Sequence, residues 1–272
     1  MIGKNITLML YWLILLILVY YSKFILYKSK VNNNFISNYI KLFFSKKKII
    51  ENMAYSKNYN YAIKWNAKSG CTYLRQLFLK LHINELENKN VNHHNLEMLF
   101  QFPTNIDLNK ILIIELVRNP YSRTVSMFCN KYCGGEGHNL LSSKIKLEKC
   151  TFRYFVKYLE KLYKSYKLDI FDKHVRSQIS NLQSKVIKLE NLNKIKNVYL
   201  DNLNLNIKNL EIEQINKTVN TKRTKFCGDK VFNINDTIFP QWQYFYDDEI
   251  KNIVYKIYNK DFVAYKYSKE II

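Results

Sequence analysis

A nearly continuous apolar run at residues 111–117, ILIIELV, restricts the fold of this chain more than any other feature. A strand this apolar is typical of a parallel sheet covered on both faces, whereas a strand with one wet face alternates polar and apolar residues. The run leads directly to Arg118, and Pro120 can occupy the first turn of a following helix. The sequence therefore predicts an α/β fold with a central parallel sheet flanked by helices.

Arg118 and Ser126 follow this run at positions that suit a phosphate. The carboxyl end of a central strand is where open α/β sheets bind ligands, and a planar guanidinium pairs well with phosphate oxygens. Ser126 lies two turns into the predicted helix. Taken alone, Arg118 is also compatible with a structural cation, and Ser126 with a small packing residue.

An earlier segment has the same strand–turn–helix organisation. The run 59–66, YNYAIKWN, is aromatic and β-branched like a strand, and apolar residues recur at helical spacing between 74 and 81. The turn between them, residues 67–72, would direct unpaired backbone N–H groups and the positive end of the helix toward one point. This predicts an anion site. An ordinary β–α turn with a solvated lysine is the alternative interpretation.

Three residues of this turn support anion binding. Gly70 lets the backbone approach an anion closely, Thr72 adds a hydroxyl, and Lys68 adds a charge that can reach round the loop. Because the lysine precedes the glycine, the turn is not a Walker A loop of the form G-x-x-x-x-G-K-[ST]. A nucleoside triphosphatase is therefore disfavoured.

Together the two segments resemble the sulfotransferases that use 3′-phosphoadenosine 5′-phosphosulfate (PAPS), and more closely the membrane-anchored carbohydrate sulfotransferases. In that family a P-K-x-G-C-T cradle binds the 5′-phosphosulfate, and residues 68–72 match it, with Ala67 in place of the usual proline. A second motif, V-R-[DN]-P-x-x-R-x-x-S, binds the 3′-phosphate, and residues 117–126 match it throughout. Weaker similarities extend the resemblance over residues 59–268, and it implies a P-loop-like sulfotransferase fold.

The resemblance, with the demands of sulfuryl transfer, implies a role for each loop. The reaction needs a bound donor, an acceptor oxygen held in line and stabilisation of charge on the leaving phosphate. Lys68 is expected to neutralise the bridging oxygen as the S–O bond breaks, and Arg118 with Ser126 to clamp the 3′-phosphate. Protein cations and helix ends suffice in this scheme, so no metal is expected. The implied donor-binding residues are Lys68, Ser69, Gly70, Cys71, Thr72, Arg118, Ser126, Lys222 and Arg223.

An acceptor hydroxyl needs a general base, and histidine is the side chain best matched to neutral pH. Some members of the resembled family carry a catalytic histidine a similar distance ahead of the second motif, which favours His94 and then His93. These two can instead be the polar start of a helix. His174 is a further candidate, because the family's matching H-x-R-x-Q stretch contacts acceptor or donor. Glu115 and Glu190 are also candidates, although a structural role fits both equally well.

The N-terminal residues predict a membrane anchor. Residues 6–21 carry no formal charge, and with Lys23 snorkelling the apolar segment continues to residue 27. A cleaved signal peptide is the alternative, but it expects a shorter apolar core followed by small residues. The predicted organisation is a tail at 1–5, a transmembrane signal-anchor at 6–27, a stem at 28–57 and a sulfotransferase domain at 58–272.

The charge of the chain is a weak guide to its partners. Lys and Arg number 43 against 22 Asp and Glu, a formal net charge of +21, yet only six of the cations are arginine. Such lysine richness can reflect codon bias in an AT-rich genome, although a lysine-rich surface would suit an acidic polysaccharide. A nucleic-acid binder is disfavoured because it would not be expected to carry a membrane anchor.

The expected function is transfer of a sulfuryl group from PAPS to a hydroxyl of a glycan. Two alternatives stay open: sulfation of a tyrosyl protein or small alcohol, and binding of a nucleotide or polyanion without catalysis. The resemblance implies a single-pass membrane protein with a Golgi-like lumenal catalytic domain, whose sequons at Asn216 and Asn235 would be open to glycosylation. The positive-inside rule, counted over the flanking lysines, argues for the opposite orientation.

Overall fold

The computed structural model describes residues 51–82, 94, 96–103, 106–133, 151–165, 168, 172–205, 219–221, 225–232, 236 and 238–271. The strands are β1 Met53–Ser56, β2 Tyr61–Trp65, β3 Leu112–Val117, β4 Lys185–Lys188, β5 Val219–Thr221 and β6 Ile238–Pro240. The α-helices are α1 Cys71–His82, α2 Leu96–Leu99, α3 Pro120–Met127, α4 Phe152–Lys164, α5 Ile195–Leu203, α6 Asp248–Ile257 and α7 Asn259–Ala264. Short 3₁₀ helices at Leu108–Lys110, Leu189–Lys194 and Trp242–Phe245 and a π-helix at Phe128–Cys133 complete the described elements.

The main sheet has four strands in the order β1-β2-β3-β4. β2 pairs parallel with β3, and β3 pairs parallel with β4. β1 pairs antiparallel with β2, so the predicted all-parallel sheet is corrected to a mixed one. The cause is the short connection at 57–60, because a parallel pair requires a crossover of a dozen or more residues. β1 lies within the range that the sequence predicted as stem.

The apolar run that forms β3 is buried on both faces, as its composition predicted. Ile114 and Leu116 of β3 pack in one cluster with Leu74 and Phe78 of α1. On the opposite face, Ile113 joins a second cluster that includes residues of β1 and β2. The α/β architecture with helices flanking a central sheet is therefore confirmed.

A largely aromatic core packs against α3. α4 begins at an N-cap, Thr151, whose side chain accepts a hydrogen bond from the Tyr154 backbone N–H. One face of α4 is apolar, and it packs with α6 and with the end of α3. The fully buried rings of this cluster are Tyr121, Phe128, Phe152, Phe155, Phe245, Tyr258 and Phe262. This packing fixes the start of α3, where the second predicted anion loop lies.

The predicted anchor at 6–27 lies outside the described residues. Among the helices in the part of the chain that the structure describes, none combines the length and apolar character needed to cross a membrane.

Candidate functional site

The turn between β2 and α1 has an unusual backbone conformation at two residues. Lys68 and Gly70 have φ of 64° and 78°, in the left-handed region. This conformation favours glycine, and a Cβ on Gly70 would lie 2.7 Å from Cδ1 of Leu189 and would displace that side chain. α1 begins at Cys71, and the half-buried Thr72 follows. Backbone N–H groups in this first turn lack partners inside the helix.

The second predicted loop follows β3 and begins α3. The Asn119 side chain accepts hydrogen bonds from the backbone N–H groups of Tyr121 and Ser122, and Pro120 occupies the first turn. The helix therefore starts as the sequence predicts, with its positive end beside Arg118. Ser126 is half-buried in the last turn of α3.

Arg118 joins the two loops. Its Nη1 donates to the backbone oxygen of Lys68 at 3.2 Å, and its Nε donates to Oγ of Ser122 at 3.0 Å. Burial lowers the pKa of the Arg118 guanidinium, an effect that the carboxylate of Glu190 opposes. Within the described residues Arg118 forms no ion pair with a carboxylate, and its Nη2 makes no hydrogen bond. That nitrogen is available for an anion.

Gln178 also connects the loops. Its Oε1 accepts from Oγ of the buried Ser69 at 2.6 Å and from the Arg118 backbone N–H at 2.9 Å, and its Nε2 donates to the Arg118 backbone oxygen at 2.8 Å. The buried carboxylate of Asp261 in turn accepts from the Gln178 backbone N–H. Sequence reasoning placed Gln178 in a motif with a possible donor or acceptor contact, but not in this connecting position.

Arg123 belongs to the second motif, yet its side chain is directed into the protein. It is only 2% exposed. Its Nε donates to the backbone oxygen of Ala67 and its Nη2 to that of His174, both at 3.0 Å. One guanidinium therefore holds the chain just before Lys68 against the chain at His174.

The ammonium group of Lys68 lies beside the π-helix. Its Nζ donates to Oδ1 of Asn130 at 2.6 Å. The neighbouring Cys129 is buried, and burial together with Cys227 raises the pKa of its thiol well above the usual range. Asn130 was missed in the sequence, because a polar residue after an amphipathic helix gives no sign that a π-turn directs it toward Lys68.

The candidate bases fall in different surroundings. His94 is exposed, and partial burial together with the nearby charge of Arg75 lowers its pKa. His93 lies outside the described residues, as do Lys222 and Arg223, which the resemblance implies as donor-binding residues. The ring of His174 faces a carboxylate, since its Nδ1 lies 2.7 Å from Oδ1 of Asp172.

Both candidate glutamates are occupied by structural contacts. Glu190 accepts from the Asn119 backbone N–H and from the Tyr267 hydroxyl, each at 2.9 Å. Glu115 is 1% exposed and forms a buried ion pair with Lys64, while Ser184 donates to its Oε2 at 2.7 Å. These bonds account for both carboxylates without a role in proton transfer.

The arrangement brings two helix N-termini, Lys68 and Arg118 to one edge of the sheet, at the carboxyl ends of β2 and β3. The first-turn amides of α1, the positive end of α3 and the two cations at such a point favour a ligand with two separate anionic groups. No group of three or more His, Cys, Asp or Glu side chains suited to a metal ion occurs in the described part of the chain.

Comparison with known proteins identifies one family. A family model described as the sulfotransferase family matches residues 29–268, which is most of the chain. Comparisons with curated proteins and with solved structures gave no match.

Proposed function

This chain belongs to the sulfotransferase family, and on that premise we propose that it transfers a sulfuryl group from PAPS to a hydroxyl of a carbohydrate. The observation that carries the proposal is the direct connection of the two anion loops: Arg118 bonds to the backbone of Lys68, and Gln178 bonds to both Ser69 and Arg118. A donor with phosphate groups at its 3′ and 5′ positions requires two anion sites at a fixed separation, and these bonds fix it.

The residues of the first loop act on the bond that breaks. When bound, PAPS supplies a sulfuryl group on a phosphate leaving group. The first-turn amides of α1 hold the 5′-phosphate, and Lys68 exchanges its bond to Asn130 for the bridging oxygen, where charge develops as the S–O bond breaks. Such stabilisation is strongest where the hydrogen-bond donor is already in position before the reaction. The backbone of the loop fixes the position of Lys68.

The residues of the second loop bind the 3′-phosphate and do not act on the bond that breaks. Arg118 directs its unbonded Nη2 to the 3′-phosphate, with Ser126 and the positive end of α3 as further contacts. Lys222 and Arg223 complete the donor site in this proposal by covering the nucleotide. The acceptor oxygen forms its bond to sulfur in line with the departing phosphate, and its proton passes to a histidine.

The proposal includes an N-terminal membrane anchor at residues 6–27 and a Golgi-like lumenal catalytic domain. The support is the uncharged segment and the resemblance to membrane-anchored enzymes. Protease protection of the full-length protein in sealed microsomes tests it. A protected catalytic domain is expected, and digestion from the cytosolic side would reverse the orientation.

Calorimetric titration of the full-length protein with 3′-phosphoadenosine 5′-phosphate (PAP) tests the donor site. The wild-type protein should bind PAP, and Arg118→Ala should lose at least about tenfold in affinity, since a charged hydrogen bond contributes about 1.5–3 kcal/mol. Lys157→Ala is the matched control, because Lys157 pairs with Glu249 on the surface between α4 and α6. Absence of PAP binding by the folded protein would refute the donor assignment.

Turnover then separates the acceptor classes. Radiolabelled sulfate transfer from PAPS should occur to glycans, with acidic polysaccharides tested first because of the lysine-rich surface. Transfer to tyrosyl peptides or small alcohols instead would replace the carbohydrate acceptor. PAP binding without transfer to any acceptor would indicate a non-catalytic nucleotide-binding protein.

A further inference from the structure

We propose that His174 is the general base of this sulfotransferase and that Asp172 is the residue that positions it. The inference rests on the proposed function and adds a proton acceptor and its partner to it. It favours His174 over His94, which sequence resemblance placed first.

The position of His174 follows from its backbone contacts. The guanidinium of Arg123 bonds at once to the backbone oxygens of His174 and Ala67, so the two chain segments lie side by side. Ala67 immediately precedes Lys68, the residue proposed to act on the breaking bond. The same stretch continues to Gln178, which bonds to both anion loops. The segment containing His174 therefore runs along the donor site.

The ring of His174 is held in one orientation. Oδ1 of Asp172 accepts from the His174 backbone N–H at 2.8 Å and lies 2.7 Å from its Nδ1. The backbone N–H of Val175 donates to the Asp172 backbone oxygen at 3.1 Å, which closes the turn. The side chains of His174 and Asp172 are 15% and 9% exposed. A carboxylate at this position fixes the proton of a neutral ring on Nδ1 and leaves Nε2 as the acceptor.

The charge on Asp172 supports this arrangement. Burial alone would raise its pKa, but the hydrogen bonds from the ring and backbone of His174 outweigh burial and lower it. Asp172 is therefore a carboxylate at neutral pH. Nε2 of His174 makes no hydrogen bond to the described residues, so it is available to an acceptor hydroxyl.

The proposed step transfers one sulfuryl group and one proton. The acceptor oxygen forms a bond to sulfur while the bond between sulfur and the bridging oxygen of the 5′-phosphate breaks, and that electron pair stays on the phosphate beside Lys68. Nε2 of His174 takes the hydroxyl proton. The resulting imidazolium is stabilised by Asp172, which keeps the Nδ1 proton in a hydrogen bond and is not itself protonated.

A double-mutant cycle in the full-length protein tests the pair. His174→Gln should lower kcat by about 10²–10⁴-fold, the usual contribution of a general base. Asp172→Asn keeps an oxygen for the turn but removes the charge, and it should lower kcat by at least about tenfold. If Asp172 acts through His174, the double variant should be no slower than His174→Gln alone. PAP affinity should stay unchanged in all three variants.

NMR of the His174 ring shows whether Asp172 orients that ring or only stabilises the turn. The ¹⁵N shifts of the His174 ring should report a proton on Nδ1 in the wild-type protein and a shift toward the Nε2–H tautomer in Asp172→Asn. Glu51→Gln is the matched control, because Glu51 is a carboxylate that pairs with Arg176 of the same stretch at 3.2 Å. It should leave kcat and the ring shifts unchanged.

Two results would overturn the inference. Wild-type kcat in His174→Gln would exclude it as the base, and an additive loss in the double variant would exclude action of Asp172 through it. Failure of the wild-type protein to bind PAP would refute the donor site instead, which keeps the two proposals distinguishable.

Discussion

Gly70 shows at the scale of one residue how the donor loop depends on a missing side chain. Gly70→Ala should lower the free energy of unfolding by about 1–2 kcal/mol, because the left-handed backbone strains an alanine, with a smaller addition for displacing the Leu189 side chain. Urea denaturation of both proteins measures this loss. PAP affinity should fall as well, since the shifted turn moves the first amides of α1.

A second variant separates the backbone strain of Gly70→Ala from its steric contact with Leu189. Leu189→Ala removes the atom that lies 2.7 Å from the added Cβ. Combined with Gly70→Ala, it should recover the steric part of the loss in a double-mutant cycle and leave the backbone part. A coupling free energy of zero between the two sites would contradict the close contact.

Arg123 is the second residue whose surroundings dictate a prediction. Arg123→Lys should destabilise the protein by about 2–4 kcal/mol, because one ammonium cannot replace the fork that binds the backbone oxygens of Ala67 and His174. Thermal and urea unfolding measure the effect. Arg75→Lys is the control, since Arg75 is only half-buried and its hydrogen bonds are long and stay within one helical turn, to the backbone oxygen of Cys71 at 3.3 Å and to its Sγ at 4.0 Å. An equal loss in both would contradict the special role of Arg123.

The sequence identifies arginines that suit a phosphate, but it does not show in which direction each side chain points. Arg118 and Arg123 stand five positions apart in one motif, and both are suitable phosphate ligands. Arg123 turns inward because it finds two backbone oxygens, at positions 67 and 174, that are distant along the chain. Such a contact exists only after the fold has formed, so no local pattern reveals it.

At the scale of elements, the start of α3 carries both stability and binding. Asn119→Ala removes the acceptor for two backbone N–H groups and should cost about 1 kcal/mol of unfolding free energy. Asn119→Asp keeps the cap, so most of that stability should remain. The V-R-[DN]-P motif accepts either residue at this place, so Asn119→Asp should also keep most of the PAP affinity, whereas Asn119→Ala loosens the start of α3 and should lower it. Urea unfolding and calorimetry together test the two effects, and a loss of PAP binding in Asn119→Asp but not in Asn119→Ala would contradict the role of the cap.

The elements were predictable where their patterns were long. β3 and the helix beginning at Pro120 follow from residues that are adjacent in sequence. β1 was missed because its four residues, MAYS, are too few to show a strand pattern. Its place at the sheet edge depends on pairing with β2, which is a tertiary contact.

At the scale of the whole molecule, the donor site joins segments from distant parts of the chain. Ligand binding should therefore stabilise the global fold and not one loop. At a PAP concentration of 100 times Kd, the free energy of unfolding should rise by about 2.7 kcal/mol. With a tenfold lower affinity, the free energy of unfolding of Arg118→Ala should rise by only about 1.4 kcal/mol at the same PAP concentration. A rise confined to local hydrogen exchange near the loops, without a change in global unfolding, would contradict this expectation.

The contact of Gln178 with Arg118 has a consequence for how the main sheet ends. β3 has its last paired residue at Val117, opposite Lys188. One position later, the side-chain amide of Gln178 offers both an acceptor and a donor to the Arg118 backbone, as a neighbouring strand would. The side chain of Gln178 thus provides, for Arg118 alone, the two backbone hydrogen bonds that a further strand would otherwise provide. The chain can leave the sheet at Arg118 with its peptide groups satisfied and its guanidinium outside the ladder, which a glutamate or methionine at position 178 would not allow.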